Sequence, residues 1–129
     1  VGWEDCWACH TGTPGIQDQY SLLLDSAMNG MLPLERVAEV VAEAPATEFK
    51  LGNKGFIRPG FDADIVLFDP LDTTKYSNDT VLSRCGWTPY DGRSSKGKIT
   101  RTLVRGQDVY VNGTVVGEPG WGRLARPTH

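Results

Sequence analysis

The chain has 129 residues, 40% of them apolar and 22% charged, with a net charge of −3. These values are ordinary for a soluble globular protein of one domain or slightly more. No basic run supplies a nucleic-acid footprint, and the longest apolar stretches, such as Ile65-Val66-Leu67-Phe68, are far too short to span a bilayer. The first predicted helix runs from about Asp18 to Met28, with Ile16, Tyr20, Leu22, Leu23 and Ala27 as its apolar stripe and Asn29-Gly30 as its stop. A second starts at Pro33 or Leu34, where proline is tolerated in the first turn. Leu34, Val37, Ala38, Val41 and Ala42 fall on one helix face. Pro45 ends that helix or begins a short new one through Phe49, since the residue before proline avoids the helical region.

After the Gly/Pro-punctuated connection at residues 52–60 the signals change to strands. Ile65–Phe68 reads as a short strand buried on both faces and ending at Asp69-Pro70. Residues 78–97, rich in Ser, Gly and Asp, read as a long surface loop. Lys98–Arg105 is the next strand, Gly106-Gln107-Asp108 a tight turn, and Val109-Tyr110-Val111 a returning strand. Asn112-Gly113 then marks a two-residue hairpin turn into Thr114-Val115-Val116. Two helices and about five short strands are a thin basis for an independent core, because a small sheet needs a second layer. The chain also starts without a methionine, and its N-terminus has no secretory pattern. The expectation is therefore a segment of a longer cytoplasmic protein.

Cys6-Trp7-Ala8-Cys9-His10 has the C-x-x-C-H spacing of covalent c-type haem attachment, with Met28 or Met31 as a conceivable second axial ligand. Cys6, Cys9, His10 and Cys85 could also form a closed zinc site, although Cys85 lacks the second C-x-x-C pair usual for one. A redox C-x-x-C should open a helix, whereas Thr11-Gly12-Thr13-Pro14-Gly15 comes next here. Asp62 and Asp64 could be paired catalytic acids, but turn bonding for one and a cation partner for the other is the stronger expectation. Trp87, Pro89 and Tyr90 could be a recognition patch but read more strongly as an apolar plug where the long loop packs on the rest of the parent protein or a neighbouring subunit, and Arg93, Arg101 and Arg105 as a solvated face or interface.

Several spaced motifs carry a resemblance. Lys54-Gly55-Phe56-Ile57-Arg58-Pro59-Gly60-Phe61-Asp62-Ala63-Asp64-Ile65-Val66-Leu67-Phe68-Asp69 resembles the amidohydrolase pattern K-G-x-I-x-x-G-x-D-A-D-L-V-h-h-D. Gly86-Trp87-Thr88-Pro89-Tyr90-Asp91-Gly92 resembles the W-S-P-Y-E-G segment of the cyclic-amide hydrolases, and Thr102–Gly113 their closing hairpin. The subgroup is dihydroorotase, allantoinase and hydantoinase/dihydropyrimidinase, with a dihydroorotase or allantoinase as the first expectation and a hydantoinase/dihydropyrimidinase as the next.

The resemblance implies an α/β chain. Residues 1–55 would end a (β/α)8 TIM barrel, with an active-site loop and last helices, and residues 56–129 would supply strands of a small composite β-sandwich. It implies a parent hydrolase that opens a cyclic amide with hydroxide generated on two divalent metal ions, usually zinc. Those metals are held by an H-x-H pair, a carboxylated Lys, two further His and an Asp. The only histidines here are His10 and His129, so this segment is expected to bind no metal and to be inactive alone. The loop His10–Gln17 matches the family loop whose backbone grips the imide edge of the substrate. Thr11 and Gly12 align with the gripping positions, and Gln17 stands where Glu is commoner. The implied partners are a small cyclic amide, the rest of the barrel and further copies in a homo-oligomer, with no nucleic acid and no membrane. The alternative is a small c-type haem electron-transfer module using Cys6, Cys9 and His10.

Overall fold

The computed structural model describes residues 3–8 and 12–128. Helix α1 spans Gln19–Met28. Its first turn is prepared by Gly15, whose carbonyl accepts from the N–H groups of Asp18 and Gln19 at 3.1 and 2.8 Å. It stops at Asn29-Gly30 as expected. Gly30 takes φ +73°, its N–H returns to the Ala27 carbonyl, and the Met31 N–H reaches Ser26. That pair of bonds is the Schellman closure, which a left-handed residue after the helix makes possible.

Residues 34–48 form one continuous helical rod in three parts. Helix α2 is Leu34–Ala38, a π-helical segment covers Glu39–Glu43, and helix α3 is Ala44–Glu48. Pro45 therefore does not break the rod. A proline in a regular helix presses on the carbonyl four residues back, and the wider π turn just before Pro45 relieves that crowding. Downstream of it, the inserted residue turns the helix so that Ala46 comes inward. Val37 and Ala46 are buried, whereas Leu34 and Ala38, expected on that face, are exposed.

Among the described residues the sheet has four antiparallel strands in the order β1-β2-β3-β4, one fewer than expected. They are β1 Ile65–Lys75, β2 Ser94–Val104, β3 Gln107–Val111 and β4 Thr114–Val115. Both tight turns are two residues long. Asn112-Gly113 has φ values of 45° and 93°, and Arg105-Gly106 has 49° and 79°. Paired positive φ angles match the right-handed strand twist and favour Asn-Gly. The first turn thus lies at Arg105-Gly106, one step before the predicted one, and Gln107 and Asp108 belong to β3.

Strand β1 departs most from expectation. It continues past Asp69-Pro70 to Lys75 because it lies at the sheet edge, paired only to β2. Pro70 falls in the irregular gap between the Asp69–Lys98 and Thr73–Lys96 pairs, where its missing N–H breaks no ladder bond. Nor is the strand buried on both faces. Ile65, Val66 and Phe68 are half-buried and Leu67 is exposed, because no second layer among the described residues covers it.

The small core lies where α1 crosses β2. Leu24 is 1% exposed and packs near Gly97, which takes φ +84° in a bulge where Thr73 faces both Lys96 and Gly97. Helix α1 buries Ser21 and Leu24, while Leu22, Leu23 and Ala27 are half-buried and Ile16 is exposed. The buried stripe is thus rotated from the predicted one. The polar Ser21 faces inward because the β2 surface it meets is itself polar, with Ser95 buried and hydrogen bonded to the Tyr76 hydroxyl at 2.7 Å.

Candidate substrate-edge site

The loop leading into α1 is the candidate site. Gly12 is exposed, and nothing among the described residues lies within 4 Å of the place a Cβ would occupy. Thr11, the other expected gripping residue, lies outside the described residues, as do Cys9 and His10.

The chain beyond Gly12 is tied down firmly. The Gln17 side-chain amide donates from Nε2 to the Thr80 carbonyl at 2.9 Å. Its Oε1 accepts from the Leu82 N–H, also at 2.9 Å. One residue on, Asp18 is buried and its Oδ2 accepts from the Thr88 hydroxyl at 2.6 Å. The bonds of both residues land on the loop between Tyr76 and Ser94. That loop is closed on itself: Asn78 Oδ1 accepts from the Thr88 N–H, Asp91 Oδ1 from the Asn78 N–H, and the Tyr76 backbone bonds across the neck to Arg93 and Gly92. Tyr90 packs on Tyr76 with centroids 5.8 Å apart, and burial pushes the Tyr76 hydroxyl pKa up. Of Trp87, Pro89 and Tyr90, Trp87 and Tyr90 are half-buried and Pro89 is exposed beside the buried Thr88.

A second cluster fixes the connection between rod and sheet. Lys54 Nζ lies 2.7 Å from Asp62 Oδ2 and 2.5 Å from Asp64 Oδ2. Asp64 Oδ1 also accepts from the Arg105 N–H, and Asp62 Oδ2 from the Asn53 amide. Partial burial raises the Asp64 pKa, but the Lys54 ammonium and the Arg105 N–H outweigh it, so the net displacement is downward. Both acids thus act as structural partners of a cation. Gly55 beside them takes φ +86°, and a Cβ there would stand 2.5 Å from Ala46 Cβ and 2.8 Å from the Ala42 carbonyl oxygen. Only glycine lets the chain pass so close to the helix.

The three arginines form no anion clamp. Arg101 pairs in bidentate fashion with Asp108, Arg93 lies over the Tyr90 ring, and Arg105 stacks on Trp121 and donates to its carbonyl. Cys6 and Cys85 are both free and exposed. Hydrogen bonding to Ser83 and to the Trp87 carbonyl lowers the Cys85 pKa. Among the described residues no group of three or more His, Cys, Asp or Glu could hold a metal ion. Asp18, Asn78 and Thr88 are loop-supporting residues that sequence reasoning missed, and Gln17, placed in the loop from sequence, was not given its anchoring bonds. Their contacts cross more than sixty residues for Gln17 and Asp18 and leave no local pattern.

An α/β segment with an open glycine loop, a K-G and D-A-D junction and a closing hairpin defines a class. The model of the amidohydrolase family matches residues 11–109, and the chain belongs to that family. Among curated relatives, a D-phenylhydantoinase from Escherichia coli O1:K1 is 35% identical over 92% of this chain. A dihydroorotase from Halobacterium salinarum is 42% identical over 86% of it. Among solved structures, a D-hydantoinase (dihydropyrimidinase) from Thermus sp. superposes with a TM-score of 0.89 at 31% identity, over 98% of this chain and 28% of that one. An L-hydantoinase (dihydropyrimidinase) from Arthrobacter aurescens gives 0.86 at 35% identity, over 95% of this chain and 28% of that one. The chain spans about a quarter of the length of these curated relatives, 26% in both cases. Nothing in these likenesses supports the c-type haem reading.

Proposed function

We propose that this chain is the C-terminal segment of a metal-dependent hydrolase that opens a cyclic amide. Residues 1–55 would close the barrel and residues 56–129 would contribute to the sandwich. The segment's own part is binding. Thr11 and Gly12 would present backbone N–H and C=O groups to the acceptor–donor–acceptor edge of an imide, which backbone groups match well. The ligands of two zinc ions would lie in the rest of the protein, which would be cytoplasmic and oligomeric. No step of ring opening is assigned to this segment, and alone it would be inactive.

The observation that carries this reading is the agreement with two hydantoinase structures, at TM-scores of 0.86 and 0.89 over 95% and 98% of this chain. A hydantoin or dihydropyrimidine ring is the first substrate class on that ground. A dihydroorotate ring is the second, supported by 42% identity to a dihydroorotase. Ring opening releases a carboxylic acid, which ionises at neutral pH. A pH-stat assay of the full-length protein with hydantoin, dihydrouracil, dihydroorotate and allantoin therefore tests the proposal. Steady proton release with one of these rings is expected. No release with any of them, in zinc-loaded protein, would refute it.

A further inference from the structure

We infer that the loop between Tyr76 and Ser94 positions the substrate-edge loop, acting through Gln17. This rests on the function proposed above. The two loops are far apart in sequence, yet consecutive residues of one, Gln17 and Asp18, each send a side chain to the other.

The chemistry of Gln17 is specific. Its amide donates to one backbone group and accepts from another two residues along, as a neighbouring strand would. Only a primary amide offers a donor and an acceptor side by side at that reach. A carboxylate keeps the acceptor for the Leu82 N–H but sets negative oxygen against the Thr80 carbonyl. The docking surface is also stiff, because bonds within the Tyr76–Ser94 loop hold Asn78 and Thr88 in place. Gly12, by contrast, has no described residue within 4 Å of where a Cβ would stand. Among the described residues, the purchase on the backbone that would hold the substrate thus comes from its C-terminal side, at Gln17 and Asp18. Gln17 touches no substrate in this arrangement and is a positioning residue.

Steady-state ring opening by the full-length protein tests this, comparing wild type with Gln17→Met and Gln17→Glu. Gln17→Met, which loses both bonds, is expected to raise KM about 5–20-fold with kcat within about twofold, the signature of lost binding shared by ground and transition states. Gln17→Glu is nearly isosteric and keeps the acceptor for the Leu82 N–H but loses the donor to Thr80, so the positioning role places its KM between wild type and Gln17→Met, at least about threefold above wild type, whereas a space-filling role would leave it near wild type. If Gln17→Met does not fold, Gln17→Glu decides by the same measure. A KM within twofold of wild type in the folded variants, or a fall in kcat with KM unchanged, overturns the inference while leaving the function intact. A wild-type protein that opens none of the rings overturns the function, and the positioning role with it.

Discussion

The crossing of α1 over β2 and the outer half of β1 belong to the same small sheet, yet they live in opposite surroundings. At the crossing Leu24 is 1% exposed; on β1, Leu71 is 94% exposed. Both are leucines in regular structure. The difference between them is whether another layer lies on top, because the hydrophobic gain scales with the area removed from water and not with the residue type. On α1 the cover is supplied by β2, whereas none of the described residues covers Leu71.

That contrast can be broken by mutation. Leu24→Ala should have the largest effect, lowering stability by about 3–4 kcal/mol through the cavity it leaves, measured by denaturant unfolding. Gly55→Ala comes next, at about 2–3 kcal/mol, because its new methyl meets Ala46 and the Ala42 carbonyl in a left-handed conformation. The pH response should be smaller. The folded pKa of Asp64 lies below its unfolded value, so its contribution is present above about pH 4 and lost as pH falls through the folded value. Thermal melts between about pH 7 and 3 should show that loss in wild type, and Asp64→Asn should flatten the curve. Leu71→Ser should change the stability of this chain by less than about 0.5 kcal/mol. A cost above about 1.5 kcal/mol for the same change in a full-length protein would sharpen the comparison, since only burial of β1 beneath another part could produce it.

Much of the fold is legible in local chemistry. Asn29-Gly30 and Asn112-Gly113 specify backbone angles that few other pairs accept, and both turns fall where expected. The pattern around Asp62 and Asp64 points to turn and ion-pair roles, and both acids contact Lys54. The failures share one cause. The facing of α1, the extension of β1 past Pro70 and the face of the rod all depend on what lies opposite, which a periodicity does not encode. Ser21 turns inward because Ser95 and Tyr76 are there, not because of its own polarity. The candidate site is half legible: its glycines stand out in sequence, whereas the amide and carboxylate that anchor them speak only to distant backbone and to one buried hydroxyl.

The π-helical segment at Glu39–Glu43 acts as a phase shifter. One residue more than a regular helix needs turns everything after it by about 100°, and this brings Ala46 round to meet Gly55. The rod and the K-G junction are therefore geared together like two wheels whose teeth mesh at one setting. A relative that lost a single residue here could keep a continuous helix and still present the wrong tooth. In this stretch the number of residues is under as much constraint as their identity.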